Sequence, residues 1–369
     1  MLTRRLFALS TLALAGCGAA PLAGGAPEPT TAFRAVPDAG WDAWVAGYRG
    51  RAAARGIPAA TIDAAFRGAG FIPEVIARDR NQTEFRRSFE DYLAIVASEE
   101  KVREGRAAFA RQQGTLRAIE ARYGVPASIV AAIWGVESNY GQRRGDVPVI
   151  SAVSTLAYEG RRGAFFEGQL DAALRILAAG DVTPDHMVGS WAGAMGHTQF
   201  IPTSYLQSAV DFTGDGRRDI WSDDPADALA SAASYLAGAG WRRGASWAVE
   251  DPAGDLRPDA GGPAFRTGPN FRVIKRYNNS DNYALGVGYL ADRIAGGGPL
   301  RQGFGPDRNG LTIADRQELQ ARLTAAGFDT GGTDGVLGPR SRAAIADFQR
   351  SRGLAATGEP SAALLAALR

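Results

Sequence analysis

The chain has 369 residues, 45% of them apolar, with 41 Lys and Arg set against 39 Asp and Glu. That composition supports one sizeable core plus a small second one and excludes an intrinsically disordered chain. The near balance of charge leaves no electrostatic footprint for nucleic acid, and one cysteine excludes an internal disulfide.

The N-terminus, MLTRRLFALSTLALAGCG, has a basic start at Arg4 and Arg5, an apolar stretch too short to span a bilayer, and small residues ending at Cys17. This is the layout of an export signal over residues 1–16. The segment LAGC, Leu14 to Cys17, resembles the lipobox of bacterial lipoproteins. That resemblance implies cleavage before Cys17, lipidation of its thiol and attachment to a membrane on the periplasmic side. Gly18 follows where inner-membrane lipoproteins usually carry Asp, so the outer membrane is the expected one. The competing reading is a cleaved secretory peptide with an incidental cysteine. Cleavage removes Arg4 and Arg5 and no acid, so Lys and Arg fall from 41 to 39 and equal the 39 acids. Residues 17–36 are rich in Ala, Gly and Pro without periodicity, as suits a flexible tether.

Helical periodicity fills residues 41–123, as in FRRSFEDYLAIVASEEKVREGRAAFA, and continues over 126–179 with Pro126 in the first turn. Within it, IVAAIWGVESNYG places Val130, Trp134 and Glu137 at i, i+4 and i+7, with Ile133 on the same face. Glu137 therefore points inward. Burial disfavours the charged form, so such a carboxyl tends to stay protonated near neutrality and is able to serve as an acid. A structural ion pair with Arg143 or Arg144 is the alternative.

The loop DFTGDGRRDIWSDDPAD, residues 211–227, resembles an EF-hand. Asp211, Thr213 and Asp215 fall at the alternating oxygen positions, Gly216 at the sharp turn, and the Arg217 carbonyl at the backbone position. Ser222 stands where the bidentate Glu is expected. Residues 245–276 alternate β-favouring runs with Gly and Pro and predict short strands or extended loops. Helical periodicity returns at 281–297, a breaker-dense boundary follows with a linker at 298–310, and 311–369 hold three short helical patterns.

Four segments, YGVPASIVAAIWGVESNYG, GSWAGAMGHTQFIPTSYL, VDFTGDGRRDIW and GPNFRVIKRYNNSDNYALGVGYLADRI, together resemble the B-type membrane-bound lytic murein transglycosylases over roughly 40–300. The resemblance implies a mainly α fold, a lysozyme-like catalytic core with few short strands over 37–297. It makes Glu137 the catalytic acid, cleaving the β-1,4 bond between N-acetylmuramic acid and N-acetylglucosamine without water. The muramic C6 hydroxyl then closes a 1,6-anhydro ring, with no cofactor for catalysis. By the same match Ser190, Gln199 and Asn278 take polar roles around the substrate, and Tyr277 and Tyr283 line the cleft. As bland alternatives, Ser190 caps a helix, Asn278 makes a turn and the tyrosines are core aromatics. The family match also puts Asp227 at the close of the acidic loop, with Asp223 or Asp224 as substitutes, and implies a structural calcium. Met195 reads as apolar wall, and His197 and His186 are not spaced as a metal pair.

The segment DGVLGPRSRAAIADFQRSRGLAATGEPS closely resembles the small three-helix peptidoglycan-binding module of cell-wall enzymes. Leu319, Leu323 and Gly327 precede it; Asp334, Gly335 and Gly338 make the turn into its second helix, and Ile345 and Phe348 belong to that helix's core face. The expected partners are peptidoglycan glycan strands, a membrane through the lipid, and other cell-wall enzymes. Two rivals stand beside this reading: a hydrolytic muramidase, and a non-catalytic lipoprotein that binds peptidoglycan and recruits others.

Overall fold

Helices dominate because the apolar residues recur at helical spacing and the helix starts are capped. In the computed structural model, which describes residues 33–80 and 87–369, they are α1 Ala39–Ala54, α2 Ala59–Phe66, α3 Pro73–Arg80, α4 Phe89–Val96, α5 Glu99–Arg111, α6 Gln113–Tyr123, α7 Ala127–Ser138, α8 Val149–Glu159, α9 Gly163–Ala179, α10 Pro202–Ser208, α11 Ala226–Gly238, α12 Pro269–Tyr277, α13 Asp281–Ile294, α14 Ile313–Ala325, α15 Pro339–Ser351 and α16 Ala362–Leu368. Asp38, Ser88 and Ser98 each accept a backbone N–H of the helix they precede, supplying partners to otherwise orphan donors. The export signal, Cys17 and most of the tether lie outside the described residues. The end of the stretch read as tether is not free: the Val36 N–H donates to the Phe71 carbonyl at 2.8 Å, and Phe33 packs on the core.

At the centre is α7. Every residue from Ala127 to Ser138 except Ser128 is buried, so the single inward face expected from the sequence becomes a helix enclosed all round. It is wrapped by α5, α6, α11 and α13. Pro126 sits one position earlier than expected, as the N-cap with extended backbone (ψ 136°), and the helix begins at Ala127.

Strand content is slight. Val147–Pro148 (β1) pairs antiparallel with Val188–Gly189 (β2), and Ala248–Glu250 (β3) with Phe265–Thr267 (β4). The segment following β4, expected to be extended, is helical instead. Pro269 occupies the first turn of α12, where its missing N–H costs nothing, and Asn270, Val273, Ile274 and Tyr277 bury one face. That amphipathic period overrides the β preference of Val273 and Ile274.

A second core gathers Leu311, Leu319, Leu323, Ile345, Phe348, Leu364 and Leu365 from α14, α15 and α16. The segment leading to it runs along the main body. The Glu250 carboxylate accepts the Arg301 and Gln302 backbone N–H groups at 2.8 and 2.6 Å, and Phe304 packs against Phe89. Arg316 on α14, its side chain only 5% exposed, pairs with Glu90 and, at 2.7 Å, with Asp91 on α4. Asp259 accepts the Phe89 and Glu90 N–H groups, closing that contact from the other side.

Candidate active site

Glu137 is 4% exposed and lies one residue before the end of α7. Tyr283, in the first turn of α13, donates its hydroxyl to Glu137 Oε1 at 2.6 Å. Burial and the adjacent carboxyl push the Tyr283 phenol well above its ordinary range, so the phenol remains the donor. Tyr277 stacks on Tyr283, with ring centroids 6.4 Å apart and planes 11° from parallel, and donates its own hydroxyl to the Thr198 carbonyl at 2.7 Å. Asn278 follows as the buried C-cap of α12.

The loop 190–200 adjoins both Tyr277 and the end of α7. Ser138 Oγ donates to the His197 carbonyl at 2.6 Å, and Trp134 Nε1 donates to His197 Nδ1 at 3.1 Å. The imidazole proton must therefore sit on Nε2, which donates to the Ser222 carbonyl at 2.7 Å. Burial lowers the His197 pKa and favours this neutral ring. Gln199, in the left-handed region at φ +52°, donates Nε2 to the carbonyls of Arg144 and Gly196. The Arg144 guanidinium is occupied by the Trp221 and Ser222 carbonyls and by Asp223. Ser190 caps the turn 190–194 rather than a helix: its Oγ accepts the Ala194 N–H at 3.1 Å. It follows β2, which pairs with β1 just beyond Arg144. Met195 is fully buried, as expected of a wall residue.

The end of α7 is unusual. Asn139 and Tyr140, both non-glycine, are left-handed in succession at φ +51° and +56°. Asn tolerates this region, but for Tyr it costs about 1–3 kcal/mol. Lys101 on α5 meets both. Its Nζ donates to Asn139 Oδ1 at 2.5 Å and lies 5.5 Å from the Tyr140 ring centre, and its carbonyl accepts the Tyr140 hydroxyl at 3.0 Å. Burial, with Arg143 nearby, pulls the Lys101 ammonium down to about 8.

In the acidic loop Asp211, Asp215 and Asp227 bring one carboxylate oxygen each within 4.8 Å of one another. Asp227, in the first turn of α11, is buried and reaches back to accept the Phe212, Thr213 and Asp219 N–H groups. Asp223 and Asp224 are used elsewhere: Asp223 pairs with Arg144, and Asp224 accepts the Ala226 N–H at the helix entry. Thr213 Oγ1 lies 3.3 Å from Asp211 Oδ1, and the Arg217 N–H donates to Asp215. Hard carboxylate and hydroxyl oxygens in this spacing fit a cation such as calcium.

The model of the transglycosylase SLT domain matches residues 40–256 and 251–292, well over half the chain. The chain belongs to the transglycosylase SLT domain family. A peptidoglycan binding domain model matches 312–368. Among solved structures, SltB3 from Pseudomonas aeruginosa in complex with NAG-anhNAM-pentapeptide is 42% identical, with 89% of this chain and 99% of that one covered and a TM-score of 0.70. The Escherichia coli lytic transglycosylase Slt35 in complex with calcium is 27% identical, covering 70% of this chain and 93% of that one, at a TM-score of 0.57. Membrane-bound lytic murein transglycosylase B of Escherichia coli is 36% identical over 211 residues, 47% of this chain and 58% of its own length. The chain thus spans less than two thirds of that curated relative. These likenesses give the mainly α, lysozyme-like fold expected from the motifs.

Sequence reasoning passed over Lys101 and the carbonyl of Thr198, and named Arg144 only as an ion-pair alternative for Glu137, whereas its guanidinium ties Trp221, Ser222 and Asp223 to the site's wall. It also assigned His197 no structural part, although a histidine among the motif residues of a chain with only two was a usable signal. Asp219 escaped notice as well; its carboxylate accepts the Trp221 and Ser222 N–H groups and turns the loop toward Arg144.

Proposed function

We propose that this chain is a peptidoglycan lytic transglycosylase in which Glu137 alone handles the proton. The observation that carries the reading is the buried Glu137–Tyr283 pair inside the matched family segment. As an acid, Glu137 gives its proton to the leaving glycosidic oxygen; as a base, it then takes one from the muramic C6 hydroxyl, which attacks C1 and closes the 1,6-anhydro ring. The substrate's own 2-acetamido carbonyl supports the charge at C1, so no second carboxylate is required, in contrast to ordinary glycosidases. Tyr283 holds Glu137 in place, while Ser190, Gln199, Asn278 and Tyr277 bind and orient sugar. Mass spectrometry of muropeptides released from purified sacculi tests this. Anhydromuramic ends are expected, and reducing muramic ends as the dominant product would overturn it in favour of a hydrolase.

The C-terminal domain, 311–369, binds polymeric wall in this reading, supported by its family match. Asp211, Thr213, Asp215, Asp227 and the Arg217 carbonyl would hold a structural calcium, whose role is to bridge the loop to the start of α11. Metal that binds only the folded chain raises apparent stability. Chelator should therefore lower the melting temperature of the purified protein, and Asp215→Ala should abolish that response; a chelator-insensitive wild type would count against bound metal.

Envelope association follows the membrane-bound relative, and lipidation of Cys17 with an outer-membrane anchor facing the periplasm is the finer proposal, resting on LAGC. Among the described residues no helix is long and apolar enough to cross a membrane. Cys17→Ser should release the mature protein from the membrane fraction, and unchanged fractionation would sink the idea.

A further inference from the structure

We propose that Lys101 is a positioning residue for Glu137, acting through the left-handed turn at Asn139 and Tyr140 that ends the catalytic helix. A helix end in this geometry normally takes glycine, which adopts positive φ freely. Here Asn139 and Tyr140 occupy it, and the helix still closes, with the Asn139 N–H on the Gly135 carbonyl and the Tyr140 N–H on the Trp134 carbonyl. Bonds within the turn contribute, the Gly141 N–H to Ser138 Oγ and Asn139 Nδ2 to Gln142 Oε1, and the remaining hold comes from outside α7.

Lys101 does so from three directions. Its ammonium bonds the Asn139 side chain and lies over the Tyr140 ring, and its carbonyl takes the Tyr140 hydroxyl. The tyrosine is wedged so closely between α5 and α7 that a methyl built on Gly135 would come within 2.6 Å of its ring. Lys101 is nine-tenths buried, and no ion pair to it is found among the described residues; Glu104 acts on the ammonium only at a distance. A buried cation is retained at a desolvation cost, and an amide oxygen plus an aromatic face is what offsets it here. Glu137 is two residues before Asn139. Loss of the clamp lets the last turn of α7 fray and moves the carboxyl relative to Tyr283. Misplacement of about 1 Å at a reacting group is worth on the order of 10²-fold in rate.

The inference rests on Glu137 as the proton-transfer group, and its test is a cycle of variants of the full-length protein acting on sacculi. Lys101→Met keeps the aliphatic stem and removes the charge and donor. It should lower kcat by about 10- to 100-fold with KM little changed. Asn139→Gly removes the amide oxygen that the ammonium grips and adopts positive φ freely, so in that background Lys101→Met loses only the contact with the Tyr140 ring and should cost less than about threefold, because coupled residues fail to add. Equal loss in both backgrounds, or an unchanged kcat in Lys101→Met, would overturn the proposal. If Lys101→Met does not fold, Asn139→Ala against Asn139→Gly decides: Ala keeps the left-handed cost and loses the acceptor, so only the Ala variant should lose kcat, and equal rates overturn the proposal. The premise fails separately, through Glu137→Gln retaining full rate, a result that leaves the coupling between Lys101 and Asn139 readable by itself but removes its link to catalysis and so overturns the proposal too.

Discussion

Glu137→Gln is expected to reduce release of anhydromuropeptides from sacculi by at least ~10²-fold, the scale of general acid catalysis. The amide has the shape of the acid, and its carbonyl oxygen still accepts the Tyr283 hydroxyl that reaches Glu137 Oε1 at 2.6 Å. Folding and sacculus binding should therefore survive, and the loss should fall on kcat. What the amide lacks is a proton to deliver and a basic oxygen to recover one. Product mass adds a second readout, because anhydro ends are lighter by one water than hydrolysed ends. A variant with near wild-type turnover would remove Glu137 from the chemistry. Intact binding with no cleavage by the wild type would favour the recruiting lipoprotein.

Arg316→Ala is expected to destabilise the seat of the C-terminal domain by about 3–5 kcal/mol, the usual cost of stripping one partner from a buried ion pair. The side chain is 5% exposed and faces Glu90 and Asp91 together, so the variant leaves two carboxylates without their guanidinium. Calorimetry should show the C-terminal domain melting earlier than in the wild type, and superimposable traces would refute the clamp. The pH dependence has a definite sign. Burial raises the Glu90 pKa above the 4.5 of a free carboxyl even with Arg316 opposing it. A carboxyl raised in the folded state lowers stability above its unfolded pKa and ceases to do so below it. The deficit of the variant should accordingly shrink as pH falls toward 4.5.

Much of this architecture was legible because apolar spacing specifies burial. The period in α7 pointed Glu137 inward, and Ile345 and Phe348 were expected in the second core, where the structure places them with Leu319 and Leu323. The misreading of α12 has a physical origin: Val273 and Ile274 carry β preference, whereas burial at 270, 273, 274 and 277 is set by the surface they meet. Spacing within the acidic loop suggested the first half of the carboxylate cluster. Asp227 lies beyond EF-hand register and reaches it because Asp219 and Asp224 fold the intervening chain back on itself. Lys101 was not legible, and Arg144 was read only as a possible ion-pair partner of Glu137, not as the tie to 221–223. Each works by meeting backbone or side-chain oxygens of distant segments, a pattern that leaves no periodic trace in one sequence.

The enclosure of α7 on every side has a consequence for how the protein opens. Amides deep in a surrounded helix exchange with solvent only when the whole domain unfolds, while loops and helix ends exchange through cheap local excursions. In deuterated water the backbone from Val130 to Glu137 should thus be among the last to gain mass, and the acidic loop at 211–217, with its exposed residues, among the first. In the proposed reading the proton-transfer group, Glu137, is thus mounted on what should be the slowest-exchanging part of the molecule, and the motion that would admit a glycan strand has to come from the walls around it.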